Sequence, residues 1–221
     1  MTHEEILQGL YDNTLVGNAP EVRDLVNQGL EDSLEPEKML YDALIPSLEE
    51  VGARFERGDF FVPEMLIAAR AMQGALDILR PLLAETGVEQ VGTYVMGTVK
   101  GDVHDIGKNL VNIMLEGAGF TVFDLGVNVA PEVFVDKVRE HNPDIVGFSA
   151  FLTTTMPMFK ANINALEKAG IRDEVIVMVG GAPVTQEYAD AVGADGYAAD
   201  ASTAVRLAKD LIQRRRAAVT A

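Results

Sequence analysis

The chain has 221 residues, with 18 Lys and Arg against 34 Asp and Glu, a formal net charge of −16, and 48% hydrophobic side chains. So large an apolar share excludes a disordered tail protein, and the acidity repels phosphate backbones and anionic headgroups, so nucleic acid and membrane are not expected partners. With no Cys, disulfides, thiolate nucleophiles and sulfur-ligated zinc or iron-sulfur centres are excluded. No apolar run approaches the roughly 20 residues that span a bilayer. Met1-Thr2-His3-Glu4-Glu5 lacks the basic start of a secretory leader, and a cytoplasmic protein is expected.

Up to about Leu83 the signals are helical. Glu4 to Tyr11 opens one helix. A second follows Ala19-Pro20 with Val22, Leu25, Val26 and Leu30 at helical spacing. A third begins at Glu35-Pro36 and carries Met39, Leu40, Leu44, Leu48 and Val51, and a fourth starts within Phe60 to Pro63 and carries Met65, Leu66, Ala69, Met72, Ala75, Leu76 and Leu79. Four consecutive apolar stripes with short connections predict a four-helix bundle over residues 1–86. Composition shifts near Ala84 to Val88, and residues 87–221 form a second domain. There, strand-like runs alternate with helices five times: Val91 to Met96, Phe120 to Leu125, Asp144 to Ser149, Val175 to Gly180 and Gly196 to Ala198, the last helix running from about Ala201 to Arg214. The fold class is α/β, with a flavodoxin-like, Rossmann-type five-stranded parallel sheet of order 2-1-3-4-5. Its crevice lies at the carboxyl ends of strands 1 and 3, just after Met96 and Phe148. The tail from Gln213, with Arg214 to Arg216, reads as a frayed helix end.

The loop after strand 1 contains Gly101-Asp102-Val103-His104-Asp105-Ile106-Gly107. Asp102 and Asp105 oppose a phosphate, so this is not an anion cradle. Asp102 stands two residues before His104 and can accept a hydrogen bond from one ring nitrogen, leaving the other as an oriented metal ligand. From position alone His104 also fits an ordinary surface histidine. His3 and His141 lie far from the crevice, so a lone His104 cannot build a zinc site. A metal there must arrive with most of its coordination filled, as in a tetrapyrrole-type cofactor. After strand 3, Ser149 stands ahead of Phe151 and of Thr153-Thr154-Thr155. Ser149 could extend the Asp102 and His104 relay while Thr153 and Thr155 hold a polar ligand edge, or the hydroxyls could cap the helix beginning near Met156. Gly180-Gly181 after strand 4 clears space for a flat group, or makes a plain strand-to-helix turn.

Asp102-Val103-His104-Asp105-Ile106-Gly107, Ser149 with Thr153 and Thr155, and Gly180-Gly181 together resemble the cobalamin-binding domains of corrinoid methyltransferase systems, the first being their Asp-x-His-x-x-Gly signature. Lys108-Asn109-Leu110-Val111 looks like the methyl-carrier branch, which includes the cobalamin module of methionine synthase. Gly58-Asp59-Phe60-Phe61-Val62-Pro63-Glu64-Met65-Leu66 resembles the family's helical cap, so the likeness covers nearly the whole chain.

The resemblance implies a cobalamin or related corrinoid bound base-off and His-on, with His104 as lower axial ligand to cobalt, Asp102 hydrogen-bonded to it and Ser149 completing the triad. Asp105, Ile106, Gly107, Ser149, Phe151, Thr153, Thr155, Gly180 and Gly181 then contact the cofactor, its nucleotide tail entering between strands 1 and 3. It also implies a methyl-group carrier. A substrate-specific methyltransferase charges Co(I) to the methylcobalamin state, a second methyltransferase passes the methyl to a folate or thiol, and a reactivating protein restores oxidised cobalt. Release of His104 from Co(I) is expected to bring a proton to the triad. The bundle covers the upper face of the cofactor in this family, with Phe60, Phe61, Met65, Leu66 and Met72 as candidates for contact or for ordinary core, and a hinge at Ala84 to Val88. The alternatives are a cobalamin-based sensor and an adenosylcobalamin-dependent mutase subunit. The sensor has a similar bundle and cofactor domain but joins them to a DNA-binding module, which the strong negative charge and the lack of Trp disfavour, and the mutase subunits usually lack this bundle.

Overall fold

The computed structural model describes residues 1–86 and 91–220. Two compact units divide the chain, one helical and one built on a parallel sheet. In the helical unit Thr2 opens α1 (His3–Leu15). Its hydroxyl accepts from the Glu5 amide at 3.2 Å, and the Thr2 amide donates to the Glu5 carboxylate at 2.8 Å, so two amides that lack helical partners are satisfied reciprocally. α2 (Ala19–Glu31) has Pro20 in its first turn, where an amide hydrogen is not needed.

The third expected helix is composite. A short α3 (Pro36–Lys38) runs into a π-helical stretch, Met39–Leu44, and then α4 (Ile45–Arg57). Pro46 has no N–H to give the Asp42 carbonyl, and the chain widens so that the Ile45 amide donates to Leu40 instead. Gly58, at φ +78°, ends α4 in a left-handed conformation that a β-carbon disfavours. α5 (Val62–Thr86) completes the unit, with Pro81 inside it. The apolar stripes are buried as expected: Ile6, Leu10, Val22, Val26, Met39, Leu44, Val51 and Leu79 have no exposed surface. Met65 and Met72 are equally buried. Phe61 is 65% exposed, while Phe60 is partly covered, with the Arg54 guanidinium 5.2 Å above its ring.

The second unit has β1 (Gly92–Thr98), β2 (Phe120–Asp124), β3 (Ile145–Ser149), β4 (Ile176–Gly180) and β5 (Gly196–Ala198), all parallel in the order β2-β1-β3-β4-β5. The crossovers are α6 (Ile106–Gly117), α7 (Pro131–His141), α8 (Pro157–Lys168) and α9 (Gln186–Val192), with α10 (Ala201–Thr220) last. Val95, Val146, Phe148 and Val177 are fully buried in the sheet, and Phe134 packs edge-on against Phe148 at 4.8 Å. The register aligns Thr98, Ser149, Gly180 and Ala198 in one row at the carboxyl edge, so four small residues floor the crevice.

α10 runs to Thr220, beyond the expected end. Arg215 donates to the Asp173 carbonyl at 2.9 Å and Arg216 to the Val91 carbonyl at 3.2 Å. The basic run is thus tied to the amino edge of the sheet and is not a frayed end. Gly87 and Val88 of the expected hinge lie outside the described residues. Among the described residues no helix is long and apolar enough to cross a membrane.

Candidate functional site

The β1–α6 loop starts with a tight turn, the Asp102 amide donating to the Val99 carbonyl at 3.1 Å with Gly101 at φ +86°, as a type II turn requires. The Thr98 hydroxyl then donates to the His104 carbonyl at 3.0 Å. Between these anchors Asp102 is fully buried, and its carboxylate is nearly saturated with donors. Oδ1 meets the His104 amide at 3.1 Å and Nδ1 at 2.7 Å. Oδ2 accepts from the Phe151 amide at 2.8 Å, the Leu152 amide at 3.1 Å and the Thr155 hydroxyl at 2.7 Å. Burial alone would push this carboxyl up, but the bonds from Thr155, His104 and the Phe151 amide outweigh it and hold the group well below the usual carboxylate range.

An ionised carboxylate only accepts, so His104 Nδ1 carries the hydrogen directed at Asp102, and in the neutral imidazole the lone pair then lies on Nε2. The His104 side chain is 44% exposed, and its ring stacks on Phe151 at 4.5 Å and 26°. Around it stand apolar side chains facing solvent: Val103 at 68%, Ile106 at 70%, Phe151 at 52% and Leu152 at 39% exposure. Exposed apolar side chains on the two loops that carry His104 and its Phe151 neighbour are surface that a ligand or partner could cover. Among the described residues no three His, Cys, Asp or Glu side chains converge as a metal cluster.

The structure alters several expectations. The hydroxyl that completes the Asp102 and His104 relay is Thr155, not Ser149. Ser149 ends β3 in register with Thr98, whereas the turn before α8 carries Thr155 inward, where it also donates to the Leu152 carbonyl at 2.8 Å. Thr155 is buried beneath His104 and is not on an open wall, while Thr153 is exposed. α8 has no side-chain cap, so the hydroxyl cluster does not serve as one. Gly181 is glycine for a local reason: at φ +135° a Cβ would come within 1.8 Å of the Ala150 carbonyl oxygen, so it permits loop-on-loop contact more than it clears a channel. Gly180 stays in the carboxyl-edge row. Gly107 has nothing within 4 Å of a notional Cβ, and Asp105 receives the Asn109 amide on its carbonyl at 2.8 Å at the start of α6.

Sequence reasoning missed Lys108. Its side chain is 1% exposed, and Nζ lies 2.6 Å from both carboxylate oxygens of Asp124 and from Asn109 Oδ1. This pair fastens the start of α6 to the end of β2. The available signal was a lysine among the mainly apolar residues of α6.

The Asp-anchored imidazole stands at the switch point of a doubly wound sheet, and the family matches give the class, a B12-binding protein. Residues 92–206 match the family described as B12 binding domain, and residues 6–80 match a second family of the same description. A dimethylamine corrinoid protein of Methanosarcina barkeri is 44% identical over 96% of this chain and 100% of its own length. A cobalamin-binding protein of Desulfitobacterium hafniense DCB-2 superposes with a TM-score of 0.75 at 31% identity, over 93% of this chain and 98% of that one. A chain of the methanol:cobalamin methyltransferase complex of Methanosarcina barkeri gives 0.83 at 27% identity, over 96% and 81%. The chain belongs to the corrinoid proteins and takes a corrinoid cofactor.

Proposed function

We propose that this chain is a methyl carrier that holds its corrinoid base-off and His-on, with His104 Nε2 as the lower axial ligand. The observation that carries the reading is the 2.7 Å bond from His104 Nδ1 to a buried, ionised Asp102, which leaves one oriented nitrogen free. A flat, largely apolar macrocycle that brings its own equatorial ligands fits the surface made by Val103, Ile106, Phe151 and Leu152. When bound, the corrinoid supplies a cobalt centre able to accept and give up a methyl group.

The protein's own residues hold and orient. Asp102 fixes the tautomer of His104, and Thr155 with two amides fixes Asp102. Ser149, Thr153, Gly180 and Gly181 border the slot for the nucleotide tail, and Asp105 and Gly107 flank its mouth at the start of α6. We place the domain boundary at residues 86 and 87 and the protein in the cytoplasm. Its partners are a methyltransferase that delivers the methyl group, a second that passes it to a folate or thiol, and a reactivating protein. Likeness to a protein named for dimethylamine favours a methylamine as donor, and likeness to a chain of a methyltransferase complex supports the first partner.

The test is an absorption spectrum of the protein reconstituted with hydroxocobalamin, beside His104→Ala. Stoichiometric binding with the cofactor's own base displaced, and an axial-ligand band lost in the variant, is the expected result. Binding unchanged by the substitution would remove His104 from the metal.

A further inference from the structure

We propose that Asn128 is a positioning residue for the axial ligand: it grips the backbone beneath Asp102 and so sets where the His104 imidazole stands. The inference rests on the reading of His104 as the cobalt ligand, and it concerns a residue on a different loop from any considered above. Asn128 lies between β2 and α7 with φ +55°, in the left-handed region that Asn enters more readily than other residues bearing a side chain. Its Oδ1 accepts from the Gly101 amide at 2.8 Å, and its own amide donates to the Asp102 carbonyl at 2.9 Å. The two bonds straddle the peptide that joins Gly101 to Asp102.

The segment around it follows the same path. The Thr98 amide donates to Gly126 and the Val129 amide to Thr98, both at 2.9 Å, and Val99 and Val129 form a parallel bridge. Asp102 is therefore held from two sides: its carbonyl by Asn128, and its carboxylate by the turn that carries Phe151, Leu152 and Thr155. His104 takes its direction from that carboxylate, so slack in the Asp102 backbone passes directly to Nε2. A ligand atom displaced by a fraction of an ångström loses its metal bond geometry. An apolar residue at position 128 could offer Gly101 no acceptor. Glycine keeps the conformation and loses the acceptor, and Asp keeps both.

The test uses wild type, N128G, N128D and, as a shorter side chain that cannot reach Gly101, N128S. In the apo protein at pH 8, long-range proton–nitrogen NMR of the His104 ring reads the tautomer. Wild type and N128D should favour hydrogen on Nδ1 with the minor Nε2-H tautomer still measurable, and N128G and N128S should shift that tautomer ratio by roughly fivefold, the equivalent of one exposed hydrogen bond. The same proteins loaded with cobalamin and reduced to Co(II) report the His-on fraction by nitrogen splitting in electron paramagnetic resonance, which should fall in N128G and N128S and recover in N128D. Thermal unfolding identifies any variant that is unfolded at the assay temperature. Wild-type tautomer ratio and splitting in both N128G and N128S would overturn the proposal, as would N128D behaving like N128G. Absence of nitrogen splitting in wild type, as in His104→Ala, would overturn the ligand reading instead, and the tautomer ratios would still decide the role of Asn128.

Discussion

The His104 imidazole and the Asp102 carboxylate meet at 2.7 Å through Nδ1 and Oδ1, and the carboxylate itself is fully buried. The pair is asymmetric: Asp102 is fixed by five donors from two loops, while His104 is half in solvent with one nitrogen free. Such an arrangement presents a ligand instead of hiding a charge.

Asp102→Asn must turn an amide NH2 toward groups that are all donors. Stability should fall by about 2 kcal/mol at neutral pH, read by urea denaturation. The pH dependence has a definite sign. The folded carboxyl is held below its ordinary value, so its contribution is complete above about pH 4 and is lost as pH falls from there toward the folded value. Wild type should show this acid limb, and the Asn variant should be flatter across it.

Thr155→Val removes the buried hydroxyl that reaches Asp102 and should cost about 1.5 kcal/mol, whereas Thr155→Ser should recover most of the loss. Ser149→Ala should stay within about 0.5 kcal/mol of wild type in the apo protein. Equal effects of Thr155→Val and Ser149→Ala in thermal unfolding would contradict the assignment of the relay hydroxyl.

The Lys108 and Asp124 pair should respond unequally to loss of either partner. Asp124→Ala strands a buried ammonium and should cost about 3 kcal/mol. Lys108→Met leaves a carboxylate whose side chain is 41% exposed and which still accepts from the Gly126 amide, so a loss of about 1 kcal/mol is expected. A denaturation series on both variants and the double substitution checks the order.

Two glycines should behave oppositely. Gly181→Ala places a methyl against the Ala150 carbonyl at a φ hostile to side chains and should cost roughly 2 kcal/mol or more. Gly107→Ala meets nothing and should raise apo stability by about 0.5 to 1 kcal/mol. If Gly107 serves close approach of the corrinoid, the same variant should bind hydroxocobalamin more weakly by titration.

Periodicity and turn residues determined the elements and the sheet order, because burial of 3.6-residue and two-residue patterns and the need for crossovers leave few arrangements. The Asp102 and His104 pairing was also legible, since two residues in one loop cannot drift far apart. What the sequence left open were choices made by loops distant in the chain. Four hydroxyls lie between Ser149 and Thr155, and only the turn before α8 decides which one points at Asp102. Gly181 reads as an open channel until the Ala150 carbonyl is found beside it. Lys108 with Asp124 and Asn128 with Gly101 join residues 16 and 27 positions apart, contacts that no local pattern encodes. The π stretch before Pro46 belongs with these: a missing amide hydrogen demands an adjustment, and packing selects its form.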